Sequence, residues 1–263
     1  MRPDLTYGAY LGLEKVLAAQ NPRSGEHDEM LFIVIHQASE LWMKLSLHEL
    51  AAARGHIIAD DLGPALKMIA RVSRIQAQMI QSWDVLATLT PSEYATIRPH
   101  LGQSSGFQSW QYRMLDFILG GKDAGHLRVH ETDEAVHAAL AEMLRAPSLY
   151  DESLRLLSRR GFAIAPERLD RDFTQPYRAD STVEAAWLAV YRDPERRWDL
   201  YELAEKLVDL EYRFQQWRFA HLKTVERIIG YQPGTGGSEG VSYLQRALSA
   251  SFFPELLKVR TYL

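Results

Sequence analysis

Two histidines stand where the surrounding pattern asks for leucine. Between Leu200 and Gly230 the apolar positions Leu203, Leu207, Leu210, Phe214, Trp217, His221, Val225 and Ile228 recur every three or four residues, one buried face of a long helix. His221 lies on that stripe, while Arg218 and Lys223 lie off it, at positions expected to be solvated. His36 follows the run Leu31-Phe32-Ile33-Val34-Ile35, and Phe32, His36 and Glu40 share a face at four-residue spacing. One histidine on an apolar face is ordinarily a hydrogen-bonded core residue. Two of them, on two helices expected to be buried, point to chemistry. The glycine-rich segment Gly234-Thr235-Gly236-Gly237-Ser238-Glu239-Gly240 follows within a few turns of His221.

The remaining residue types restrict that chemistry. The chain has no cysteine, which removes disulfides, thiolate nucleophiles, zinc–cysteine and iron–sulfur sites and thiolate-ligated haem. The glycine segment lacks Gly-Lys-Ser/Thr and follows a helix, so it is no P-loop. No dinucleotide fingerprint and no Gly-x-Ser-x-Gly elbow occurs. A two-metal bundle needs Glu-x-x-His on each of two helices, and only Glu134-Ala135-Val136-His137 is found. His126 and His130 have helical ligand spacing but no third ligand forced beside them, so they and His137 are expected on a solvated face. What survives is a helical bundle with buried single histidines and abundant aromatics, and a haem held by one neutral imidazole fits it, since a porphyrin asks for one strong ligand and much apolar wall. An all-helical scaffold whose histidines are merely core residues stays open at this level.

The elements that must position these residues are helical nearly throughout. The 263 residues, 46% hydrophobic and 24% charged, describe an ordinary globular chain able to bury a sizeable core. A net charge of −4 gives no reason to expect nucleic acid or a membrane surface as partner. No apolar run reaches spanning length and no signal-peptide core opens the chain, so a soluble cytoplasmic protein is expected. A short amphipathic helix from Tyr7 to Gln20, stopped by Asn21-Pro22, cannot bury its own face and must dock on something. Helices are expected over Asp28–Ala59, apolar on all sides and therefore deep, and over Leu62–Leu86. Thr90-Pro91-Ser92-Glu93 is a helix start, and the turn 102–108 opens a fourth long helix that stops at Gly120-Gly121. The stretch 120–180 is mobile-looking and little informative; Ser181 caps a helix to Tyr191, and Asp193-Pro194-Glu195 starts the long one. With three glycines in four residues, 234–237 is expected to be flexible; glycine content alone favours a helix-terminating linker, and its place beside His221 a lid over the pocket.

Several segments together carry a resemblance. They are the run Leu31 to Trp42, Ser105-Gly106-Phe107-Gln108-Ser109-Trp110-Gln111-Tyr112-Arg113, Trp217-Arg218-Phe219-Ala220-His221 and Gly234 to Ser238. In this order, between Tyr7-Gly8-Ala9-Tyr10-Leu11 and Phe252-Phe253-Pro254-Glu255-Leu256, the chain resembles the tryptophan 2,3-dioxygenase family. The resemblance implies an all-α bundle enclosing a b-type haem, one per subunit and Fe(II) in the active form. The activity it implies is insertion of both atoms of O2 across the indole C2–C3 bond of L-tryptophan, giving N-formyl-L-kynurenine. By the same resemblance His221 is the axial iron ligand and His36 the distal, catalytic histidine. Phe32 lines the indole pocket, Arg113 clamps the carboxylate and Thr235 helps to hold the ammonium. Residues 1–20 form an arm whose Tyr7, Tyr10 and Leu11 complete a neighbouring subunit's site in a homotetramer, and 21–263 form one catalytic domain. A haem-binding tryptophan sensor or carrier predicts the same His221 without turnover.

Overall fold

The computed structural model describes residues 5–237 and 239–263; the first four residues of the arm and Ser238 of the glycine segment lie outside the described residues. The described residues form helices and no strand. The arm is two short pieces, α1 (Tyr7–Leu11) and α2 (Leu13–Leu17), rather than one helix. Gly12, at φ +62°, takes the left-handed conformation between them, which glycine adopts without penalty. Neither piece contains a buried residue.

Two long helices then run back and forth, α3 (Glu29–Ile58) and α4 (Leu62–Leu86). The face of α4 is the one its periodicity requires, with Ile69, Val72, Ile75, Met79 and Trp83 buried. α3 corrects an expectation, because apart from Glu29 at its start it is deep only in its second half, from Met43 to Ile57. Its first half is half-buried, and Met30, Val34 and Leu41 are exposed. α5 (Pro91–Ile97) begins with the reciprocal capping box read from Thr90 and Glu93. After a one-turn 3-10 helix at Gly106–Gln108, α6 (Trp110–Leu119) is capped by Ser109 and ends at Gly120, φ +118°. It is ten residues long, shorter than the turn chemistry led us to expect.

The middle of the chain is folded rather than mobile. It supplies α7 (Glu134–Arg145), α8 (Leu149–Arg159) and the single turn α9 (Pro166–Leu169). Lys122 anchors α7: its buried ammonium donates to the carbonyls of Met143, Leu144 and Ala146 at 2.7, 3.1 and 2.8 Å. These are the unpaired carbonyls of a helix C-terminus, which a cation satisfies well. α10 (Ser181–Arg192) is capped by Asp180 rather than by Ser181. α11 (Trp198–Ile229) starts one turn later than Asp193-Pro194 suggests, and α12 (Val241–Leu248) and α13 (Pro254–Lys258) close the chain.

α4 packs along both α3 and α11, and these three long helices form the spine. One apolar cluster extends from Met43 through α4, α8, α10 and α11 to Val259. The C-terminal segment is tied in by buried carboxylates. Glu211 accepts the backbone N–H groups of Phe252 and Phe253, and Glu255 accepts from the hydroxyls of Tyr150 and Tyr177. The buried amide donors at the start of α13 thereby find partners, as buried backbone groups must. Among the described residues no helix is long and apolar enough to cross a membrane.

Candidate active site

His36 lies on α3 and His221 on α11, and the field of His36 is one of the causes that lower the pKa of His221. Their surroundings differ. The Nδ1 of His36 lies 2.7 Å from the carbonyl oxygen of Phe32, one turn back. A carbonyl only accepts, so Nδ1 carries the proton and Nε2 keeps its lone pair for a donor from outside. Burial holds His36 below the ordinary histidine value, opposed by the Phe32 carbonyl and by the field of Glu40. Glu40 is itself fixed by Gln111, whose side-chain amide donates at 2.7 Å. The Phe32 ring lies 4.3 Å from the imidazole and 5.9 Å from Tyr94.

His221 has aromatic walls instead of polar partners. The indole of Trp83 stacks on it at 4.6 Å and 9°, and Trp217 lies at 5.5 Å. Burial first, and then the field of His36, lowers its pKa to about 4, with no hydrogen bond among the described residues to offset them. It is therefore a neutral imidazole with an unspent lone pair in an apolar pocket, the state in which histidine ligates a metal. Among the described residues no group of three or more His, Asp or Glu side chains is placed to hold a metal ion. The donor set thus fits a planar cofactor that brings its own equatorial ligands and does not fit a bare ion held by protein alone.

Arg113 projects from α6 into the interior and is 4% exposed. Its Nη1 donates to Asp116 Oδ2 at 2.9 Å, and its Nη2 faces the Tyr243 hydroxyl at 3.5 Å. The guanidinium also lies over the rings of Tyr112 and Phe107, at 5.4 and 5.9 Å. The other oxygen of Asp116 accepts from Arg218 Nη2 at 3.0 Å. Arg218 corrects the reading of it as solvated: it is 6% exposed and packs over Phe214 and Phe252 at 4.8 and 4.9 Å. The stripe is wider than its leucines, because Arg218 lies four residues from both Phe214 and Leu222, and a four-residue step keeps the same face.

The glycine segment is docked rather than loose. The hydroxyl of Thr235 donates to the carbonyl of Ser104, and Arg98 donates to the carbonyl of Pro233 at 2.6 Å. Gly236 lies so close to the 103–105 turn that a Cβ there would be 2.6 Å from that of Ser105. Polar contacts and a close backbone approach thus pack a segment whose residue types alone promise only freedom.

Two expectations about histidines fail. His130 is buried, and His126 is half-buried with its ring edge-on to Phe107 at 6.1 Å, so neither sits on a solvated face. Both are held below the ordinary value, by burial first and then by the field of Arg113. The arm residues are not part of this chain's own site: Tyr7 is 77% and Tyr10 74% exposed, and Leu11 is exposed as well. Reading residues one at a time missed Asp116, Arg218, Tyr243 and Trp83. Asp116 alone left a signal, an acid one helical turn after Arg113.

Fold and site define a class: an all-α protein with two neutral histidines on the two long helices that pack against α4, aromatic walls and a buried, partly neutralised arginine. Comparison with known proteins gives that class a family. The family model described as tryptophan 2,3-dioxygenase matches residues 2–263. A protein of Erythrobacter litoralis (strain HTCC2594) named tryptophan 2,3-dioxygenase is 62% identical over 261 residues, 99% of each chain. Proteins of that name from Burkholderia pseudomallei (strain 1106a) and Burkholderia mallei (strain SAVP1) are each 62% identical over 259 residues, 98% of this chain and 85% of theirs. The chain belongs to the tryptophan 2,3-dioxygenase family.

Proposed function

We propose that the chain is a haem-dependent dioxygenase that adds both atoms of O2 across the C2–C3 bond of L-tryptophan, forming N-formyl-L-kynurenine. The observation that carries this reading is His221, a neutral imidazole stacked on Trp83 with its lone pair unspent. His221 would hold the haem iron, with Trp83 and Trp217 beside it. A haem b held there, in its ferrous form, would supply the chemistry that activates O2.

The chain's own residues then bind and orient the substrate. His36 Nε2 accepts the indole N–H, because its Nδ1 proton is committed to the Phe32 carbonyl. Phe32 packs on the indole from the same helix face. Arg113 takes the α-carboxylate, which a planar guanidinium matches with two parallel donors. Thr235 contributes its hydroxyl to the ammonium, and the docked 233–237 segment excludes water from above. Holding the indole in one orientation beside the cofactor site would convert an encounter into a unimolecular step, where most of the protein's contribution lies. Proton removal by His36 is not needed in this scheme: indole N–H is a very weak acid and a neutral imidazole a modest base.

The working unit is a homotetramer in which the arm of one subunit reaches the site of another. Two short helices without a single buried residue support this, as does the exposed apolar surface at Met30, Val34 and Leu41 at the start of α3. Residues 21–263 act as one catalytic domain. The deciding experiment is steady-state formation of N-formylkynurenine by the haem-loaded protein, with O2 consumed one to one. A protein that binds haem and tryptophan, shifts its absorption spectrum and forms no product is a sensor or carrier.

A further inference from the structure

The geometry points to Asp116 as the positioning residue that gives the Arg113 clamp its orientation, with Arg218 as its fixed anchor. This inference rests on reading Arg113 as the carboxylate clamp. Asp116 does not touch the substrate in this arrangement; it acts through Arg113. Its two oxygens are divided between two cations, Oδ2 accepting Arg113 Nη1 at 2.9 Å and Oδ1 accepting Arg218 Nη2 at 3.0 Å.

Arg218 is immobilised independently of Asp116. Its Nη1 donates to the carbonyl of Ala247, in the last turn of α12, at 3.0 Å, and the rings of Phe214 and Phe252, edge-on to one another, lie against the guanidinium. Asp116 is therefore held from α11 and α12, and it passes that fixed geometry to Arg113, one turn back on its own helix. An i,i+3 pair on an open helix surface has no such second hold and exchanges rotamers freely.

A glycine keeps the space. A Cβ on Gly121 would lie 2.5 Å from Asp116 Oδ1, a distance side chains do not reach. The φ of Gly121 is not positive, so close approach to this carboxylate demands glycine there, and backbone conformation does not.

Asp116 has two opposed effects on a carboxylate ligand. It fixes the guanidinium, and its own charge repels the ligand. Orientation outweighs repulsion, because the charge is already shared by two buried guanidiniums. Their mutual repulsion without it would drive Arg113 out of place. Two cations on one anion also leave an unmatched positive charge, which the substrate carboxylate completes.

The test is the affinity ratio of L-tryptophan to tryptamine, which lacks the carboxylate, read from the absorption change of the haem-loaded enzyme. Asp116→Asn should lower that ratio about tenfold or more, the size of one charged hydrogen bond, while haem content stays normal. KM for tryptophan should rise more than kcat falls. Asp116→Glu, which keeps both acceptor oxygens, should recover part of the ratio. Gly121→Ala, which leaves the carboxylate's chemistry intact and takes its space, should lower it by a different route. If the Asn variant does not fold, the Glu and Gly121 variants carry the test. A wild-type or raised ratio in Asp116→Asn or in Gly121→Ala overturns the inference even where melting temperatures fall, since Asp116 is then structural or a mere competitor. An Arg113→Ala enzyme that keeps the full preference for tryptophan overturns the clamp reading itself, and the inference with it.

Discussion

Replacing Arg113 with lysine keeps the charge and removes the fork. In the wild type, Nη1 is committed to Asp116 at 2.9 Å, and the opposite edge of the guanidinium remains for a ligand, near the Tyr243 hydroxyl. A lysine ammonium is one point. Drawn to the buried Asp116 carboxylate, it presents one donor atom to the substrate where arginine presents two in parallel. It also gives up the flat stacking on Tyr112. One charged hydrogen bond is lost and one retained, a cost of about 1.5–3 kcal/mol, or roughly ten- to 150-fold in the dissociation constant. Tryptamine makes no such bond, and its affinity should change less than about threefold, within the range of uncoupled surface effects. The fold should survive, because Asp116 keeps a cationic partner in lysine and another in Arg218. The assay is equilibrium titration of the haem-loaded variant with each ligand, followed by absorption. Equal weakening for tryptophan and tryptamine refutes the reasoning, and so does a lysine variant that binds tryptophan as the wild type does.

Three further outcomes are expected. His221→Ala should lose stable haem binding, since the described residues give that pocket no second free imidazole on α11; full haem retention with an unchanged ferric spectrum would refute the axial assignment. Burial lowers the pKa of His36, so its acceptor form and the folding stability it contributes are complete at and above the ordinary value of about 6.5 and fail only as pH falls below it. The acid limb of kcat/KM should therefore lie below that value and be absent from the residual activity of His36→Ser, which should also discriminate less against 1-methyltryptophan; a limb unmoved in the variant assigns the titration elsewhere. Mixed oligomers of a chain lacking residues 1–20 and an Arg113→Ala chain should regain activity, because each defect then falls in a different site; verified mixed oligomers without recovery would place the arm in its own subunit's site.

Much of the fold was legible because it rests on local rules. The apolar spacing of 62–86 required one helix with one buried face, and Thr90, Pro91 and Glu93 carried a complete start signal. The first half of α3 misled because hydrophobicity says that a surface wants cover, not which chain provides it. Val34 and Leu41 are apolar and yet exposed. Gly12 shows the opposite limit: a single glycine in a short helical pattern is compatible with continuation or a break, and the left-handed turn decides only once the arm is built.

The site was legible where a residue breaks its surroundings, and hidden where it agrees with them. His36 and His221 stood out because imidazoles are unexpected on apolar stripes. Arg218 did not, since an arginine beside a stripe has the look of a solvated side chain until Asp116, from a helix about a hundred residues earlier, supplies its counter-charge. A charge is buried only when a partner meets it, and the partner comes from tertiary structure. The same logic accounts for the glycine segment. Its residue types forecast freedom, but Gly236 is small enough to let the chain settle on the 103–105 turn, where Thr235 finds a backbone acceptor. Smallness permits close packing as readily as motion, and the neighbouring surface determines which of the two is realised.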